Sequence, residues 1–327
     1  MLQKHHTAAK VTLNFDGVNS PTIKTSPMLT TEAPARVSNA RFARFAWFVL
    51  AYNLAVILWG AVVRATGSGA GCGNHWPLCG GQLSPGFAKL ATVIEFAHRA
   101  TSGILTVLVL GLLVWAFRAF PRRHPARLGA ALTTVFLVTE ALIGAALVLL
   151  DRVGRNQTAP WLSTHLVNTL TLAACLALTA WWGMGKPMVR PTWRMLATLA
   201  AVMLLSVSGA IAALADTLYP ATSLSAGLAE DFAAGAHLFV RLRGLHPVMA
   251  GGVAVWLLVF AADSLRAERR LALLVIGLTG AQLAAGLLNM LLLAPLWLQI
   301  AHLLIADGLW IALVLLCGSL RSPGARA

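Results

Sequence analysis

The sequence predicts an all-α membrane protein: eight transmembrane helices arranged as two pseudo-symmetric four-helix bundles, with both termini in the cytoplasm. Three observations predict it. Charged residues make up 11% of the 327 residues and AVILMFWYC 58%, whereas a globular domain carries about 25% charge. Mean hydropathy is +0.76. Apolar runs of about 20 residues, the length that crosses a bilayer as a helix, recur eight times. A water-soluble enzyme, a disordered chain and a small disulfide scaffold are excluded.

The polar stretch 1–43 contains Lys4, Lys10 and Lys24 but no apolar run of signal-peptide type, and is expected to be a disordered cytoplasmic tail. The apolar runs follow at 45–65, 90–117, 127–150, 161–182, 193–215, 242–262, 271–293 and 296–316. The first four make an N-terminal bundle over 44–182, interrupted by an outer loop at 66–89. A cytoplasmic linker at 183–192 leads to a C-terminal bundle over 193–317, and 318–327 form a second tail. A further, longer loop lies at 216–241.

Basic residues set the orientation. Six lie before the first span (Lys4, Lys10, Lys24, Arg36, Arg41, Arg44). Alternate links carry Arg118, Arg122, Arg123 and Arg127, then Lys186, Arg190 and Arg194, then Arg266, Arg269 and Arg270, and Arg321 and Arg326 close the chain. Most of the Lys and Arg thus share one side, which the positive-inside rule assigns to the cytoplasm. Trp47, Trp115, Trp161, Trp181, Trp182, Trp193 and Trp297 stand near span ends, as interfacial Trp does. The net charge of +14 therefore reports topology, and no nucleic-acid partner is expected. The bilayer is the partner, in a bacterial plasma membrane ahead of a mitochondrial inner membrane.

This orientation puts Cys72 and Cys79 outside, in Gly71-Cys72-Gly73-Asn74-His75-Trp76-Pro77-Leu78-Cys79-Gly80. Extracytoplasmic thiols oxidise, and Pro with flanking Gly lets the short gap close, so a disulfide is expected. A metal site from Cys72, His75 and Cys79 lacks a fourth ligand and ranks second. Cys175 and Cys317 read as small core residues.

Of nine His, four fall inside spans, each several residues from the outer end: His98, His165, His246 and His302. One such His is ordinarily a packed polar residue. Four at one depth, two in each half, point to a site, because ionisable groups in a bilayer are costly. The halves also echo each other. Gly103 follows His98 by five and Gly251 follows His246 by five; Trp161 precedes His165 as Trp297 precedes His302; Glu140 precedes Gly144 by four as Gln282 precedes Gly286. Such repeats are a known way to build membrane proteins.

Facing His pairs without an acidic cluster suit heme iron, whose two axial positions they fill. A di-iron carboxylate site needs two Glu-x-x-His units plus two more Glu, and only Glu95-Phe96-Ala97-His98 is present. Zinc needs a third ligand. Arg99, Arg241 and Arg243 are candidate contacts for heme propionates, with lipid headgroups as the equal alternative.

At these residues the chain resembles the heme A synthase family, over about 44–318. The resemblance rests on Gly60-Ala61-Val62-Val63-Arg64-Ala65-Thr66-Gly67-Ser68-Gly69 leading into Cys72 and Cys79, and on Glu95-Phe96-Ala97-His98-Arg99. Ser163-Thr164-His165-Leu166, Leu245-His246-Pro247 and Ala301-His302-Leu303 complete it. The resemblance implies oxidation of a ring methyl of heme O to a formyl group, giving heme A. It implies a heme b cofactor held by His246 and His302, substrate heme O between His98 and His165, and a catalytic Glu95. Heme O synthase and cytochrome oxidase assembly factors are the implied partners, and a homo-oligomer stays open.

Glu95 lies one helical turn from His98, on the same face, and Leu242 and Arg243 stand where the other bundle would carry an equivalent acid. A carboxylate there can take up protons or orient water; the alternative is a Glu hydrogen-bonded to Arg99 or another helix. Two departures from the family are visible. The 216–241 loop has no second cysteine pair, and Glu140 stands where Gln is expected, either as a second functional acid or, the favoured reading, as a protonated hydrogen-bond donor. A bis-histidyl cytochrome b that carries electrons from quinone, and a transporter with a His/Glu proton relay, are the competing functions.

Overall fold

The computed structural model describes residues 9–11, 25–27, 37–83, 89–150 and 158–320. Residues 84–88 of the outer loop, Lys4, Lys24 and Arg36 of the N-terminal tail, and Arg321 and Arg326 of the C-terminal tail lie outside the described residues. Residues 1–37 form a unit of their own. Its described part is an antiparallel ribbon of β1 (Ala9–Val11) and β2 (Thr25–Pro27), with Lys10 paired to Ser26.

The second unit is helical: α1 (Ala40–Ala65), α2 (Leu90–Ala119), α3 (Pro125–Leu149), α4 (Thr158–Gly183), α5 (Trp193–Leu218), α6 (Leu224–Asp231), α7 (Leu238–Ser264), α8 (Arg269–Leu291) and α9 (Leu296–Ser319). Every one of these except α6 is long and apolar enough to cross a membrane, which gives the eight spans expected. Helix is the form that satisfies all backbone polar groups within one segment, as hydrocarbon requires. Local chemistry sets the ends. Asn39 Oδ1 accepts the Phe42 N–H at 3.0 Å to start α1, and Pro125 sits in the first turn of α3. Thr192 caps α5 and Ser223 caps α6. Helix α6 was not expected in the 216–241 loop; the Ser223 cap ahead of Leu, Ala and Glu accounts for it. Leu293 and Ala294 adopt φ of 57° and 53°, and this left-handed turn is held by Ala294 N–H to Asn289 O at 2.7 Å and Gln299 Nε2 to Ala294 O at 2.6 Å. It returns α9 directly onto α8.

Helix α1 packs on α2 and α4, and α3 packs on α2 and α4; α7 packs on α5 and α8, and α9 on α8 and α5. The two sets meet where α4 and α1 lie against α9, and α4 against α5. Helices α4 and α9 are accordingly the most buried. Lipid tails are as apolar as Leu, so close approach, not water exclusion, drives helix association. Small residues provide it: Ala46, Ala126, Ala173, Ala177, Ala180 and Ala261 are buried, and a Cβ on Gly183 would lie 2.8 Å from the Phe42 ring. The indole of Trp310 on α9 donates to Leu170 O on α4 at 2.7 Å.

Candidate functional site

Glu95, His98 and Arg99 occupy one face of α2, beneath the outer loop. Glu95 is only 3% exposed. One carboxylate oxygen meets Arg99 Nη2 at 2.5 Å and Nε at 3.1 Å; the other accepts the Cys72 N–H at 2.7 Å. Arg99 Nη1 donates to His75 O at 2.6 Å and Leu78 O at 2.7 Å. Thr92 donates to Gly71 O at 2.8 Å, and Gly71 lies so close to α2 that a Cβ would fall 2.4 Å from the Ala91 carbonyl. Cys72 and Cys79 are disulfide-bonded, which removes the metal reading for Cys72, His75 and Cys79. The loop is thereby fastened to the start of α2, with Glu95 and Arg99 as its internal anchors.

His98 faces α1, where a Cβ on Gly60 would be 3.1 Å from its Cε1. His98 Nδ1 is buried without a hydrogen-bond partner. His165 on α4 is near enough to interact electrostatically with His98. Its Nδ1 lies 2.8 Å from Glu140 Oε1 on α3, and Gly144, one turn further along α3, faces its Nε2 at 3.7 Å from the Cβ position.

The second pair repeats the arrangement. His246 on α7 faces Gly209 of α5, where a Cβ would lie 2.9 Å from its Cε1, and its Nδ1 is 2.8 Å from Ser208 Oγ. His302 on α9 faces Gly286 of α8, with 3.2 Å to the Cβ position. Gln282 Nε2 is 3.1 Å from His302 Nε2, and His302 Nδ1 is a buried orphan. His246 and His302 interact with each other as His98 and His165 do. Each of the four imidazoles is thus seated on a glycine of a neighbouring helix. Among the described residues no three His, Cys, Asp or Glu come together to hold a metal ion. Two imidazoles per site, two of them with an unpartnered buried nitrogen, fit an iron whose other four ligands belong to a macrocycle.

The three expected propionate contacts differ. Arg99 is taken up by Glu95 and the loop carbonyls. Arg243 is held by Asp231 at 2.8 Å, Asp216 at 3.4 Å and Tyr219 O at 3.0 Å. Arg241 is exposed, with one long contact to Ala234 O at 3.5 Å. The Arg243 cluster fastens α6 and α7 to the end of α5, in the loop that lacks the second cysteine pair.

Two features, Gly209 and Arg64, escaped the sequence reading, and the neighbours of Glu140 were not foreseen. Gly209 carried no motif. Glu140 takes Asn168 Nδ2 at 2.6 Å and the Thr169 hydroxyl, partners that the sequence did not reveal. Arg64 crosses between the two helix sets: it donates to Ala213 O at 3.0 Å, Thr217 Oγ1 at 3.1 Å and Gln299 Oε1 at 3.0 Å. Its place in mid-motif near the end of an apolar span was the available signal.

Residues 43–314 match the family described as cytochrome oxidase assembly protein (COX15-CtaA). The chain is 47% identical over 304 residues to a protoheme IX farnesyltransferase of Thermus thermophilus, a match that covers 88% of this chain and 50% of that protein. It is 40% identical over 137 residues to the heme A synthase of Geobacillus kaustophilus, covering 41% of this chain and 42% of the synthase. The heme A synthase of an Exiguobacterium species matches at 34% over 140 residues, covering 42% and 45% of the two chains. The chain spans about half the length of the curated relatives it matches. With residues 43–314 inside the match, the chain belongs to the cytochrome oxidase assembly protein (COX15-CtaA) family.

Proposed function

We propose that this protein is a heme A synthase, oxidising a ring methyl of heme O to a formyl group through hydroxylated intermediates. The observation that carries the reading is the pair of glycine-seated imidazole sites of unequal surroundings. Carboxylates stand beside only the first: Glu95 one turn from His98, and Glu140 against His165. The second has neutral partners, Ser208 and Gln282. Substrate heme O belongs between His98 and His165, and heme b between His246 and His302. Heme b, when bound, supplies reversible one-electron transfer. Glu95, buried at the outer edge of the substrate site, is the acid–base group for the methyl carbon, with Arg99 and the Cys72 amide fixing its carboxylate. Arg241 is the arginine best left to meet a propionate.

The reading extends to the architecture. Helices α1–α4 and α5, α7–α9 act as two pseudo-symmetric four-helix bundles, supported by the fourfold repeat of histidine on glycine. Both termini face the cytoplasm of a bacterial plasma membrane, as the basic links favour. Heme O synthase is the partner that delivers substrate, and the Thermus relative, named for farnesyl transfer and about twice the matched length, supports the pairing of the two activities. The paired histidines favour the oxidative step over the farnesyl transfer for which that relative is named.

Heme extraction tests this. Membranes of cells that make heme O should contain heme A when this chain is expressed and none when it is not. Heme b and heme O in unchanged ratio, with bound heme in the purified protein, would replace the synthase by an electron carrier.

A further inference from the structure

Glu140 reads in the sequence as a protonated hydrogen-bond donor in mid-span, yet in the structure both of its carboxylate oxygens are engaged. Oε1 lies 2.8 Å from His165 Nδ1 and also accepts the Thr169 hydroxyl. Oε2 accepts Asn168 Nδ2 at 2.6 Å. The orientation of the Asn168 amide is settled by two other contacts, Nδ2 to Phe136 O at 2.8 Å and Thr139 Oγ1 to Oδ1 at 2.6 Å. With the Thr169 hydroxyl and the Asn168 amide donating to it, the carboxylate is placed to accept the His165 Nδ1–H, and Nε2 faces away, toward Gly144. A carboxylate behind a ligating imidazole fixes its tautomer and raises its basicity, and hydrogen bonds to a charged acceptor are roughly twice as strong as neutral ones. The C-terminal site has no counterpart: His246 has a serine hydroxyl and His302 an amide.

We infer that Glu140 is a positioning residue that acts through His165, making it the strongest electron donor of the four imidazoles, so that the substrate site favours ferric iron more than the heme b site does. The inference rests on the proposal that His98 and His165 hold heme.

The test uses the purified full chain loaded with hemin, followed by heme counting and a spectroelectrochemical titration. The wave lost in His165→Ala identifies the N-terminal site. Glu140→Gln keeps the shape and one acceptor oxygen but puts an amide donor in place of the other. It should retain heme and weaken the ferric-over-ferrous preference about tenfold, an upward shift of about 59 mV for one electron. The other wave should stay fixed. Thr169→Val removes a competing donor from the carboxylate and should move the same wave the opposite way, which a merely structural role would not do. An unmoved wave in Glu140→Gln with heme still bound overturns the inference and leaves the proposed function standing. If Glu140→Gln does not accumulate, an unmoved or rising wave in Thr169→Val overturns it alone. Heme content unchanged in His165→Ala overturns the site assignment, and the inference with it.

Discussion

The Glu95 carboxylate meets three donors, two from Arg99 and one from the Cys72 amide, so it both anchors the outer loop and stands beside His98. These roles separate by experiment. Glu95→Gln preserves the contact with the Cys72 amide but not the charge. It should keep heme b, since neither His246 nor His302 touches Glu95, while heme O or a hydroxylated product accumulates in place of heme A. The loss expected for a missing general acid or base is about 10²- to 10⁴-fold in rate. Heme chromatography of membranes co-expressing heme O synthase reads it. Product restored by raising heme O supply would make Glu95 an anchor only. The Arg99 contact was legible in the sequence, because residues four apart meet on a helix. The Cys72 amide was not, because nothing in the chain's spacing tells which backbone group a distant loop presents.

At the scale of elements, the histidines and glycines work as pairs drawn from different helices: α1 with α2, α3 with α4, α5 with α7, α8 with α9. A methyl at Gly209 would sit 2.9 Å from the His246 ring, too close for any real contact, and overpacking of this kind costs about 1–3 kcal/mol. Gly209→Ala should therefore turn His246 out of line and lower bound heme b, measured by pyridine hemochrome, while the protein still inserts and accumulates. Full heme b content in this variant would mean that the seat does not position the ring. The spans themselves were readable from hydropathy, and the common depth of the four histidines from their distance to the span ends. The partner glycines were only partly so. Gly144 and Gly286 showed themselves through the repeat, but which helix a side chain faces depends on interhelical packing, and a uniformly apolar span carries no stripe that reveals it. Helix α6 was missed because eight residues between two spans have too little hydropathy contrast to stand out from a loop.

At the scale of the whole molecule, Arg64 gathers the ends of α1, α5 and α9 at one point, and α4 and α9 meet along their length. The two histidine pairs are thus held in a single body from residue 38 onward, which suits a division of labour between a resident heme and a substrate heme. The sequence carried the difference between the two pairs faintly, in an acid beside His98 with no equivalent beside His246. It carried the joint between the halves hardly at all, since Arg64 lies among residues read as a motif. The claim that one chain holds two hemes of different role is tested most directly by extracting the hemes from protein purified out of cells that make heme O. Wild type should hold heme b together with heme O or heme A. His302→Ala should lose the heme b alone, and His165→Ala should lose the heme O and heme A alone. Heme b at both sites in the wild type, or loss of both hemes from either variant with the fold intact, would contradict the account.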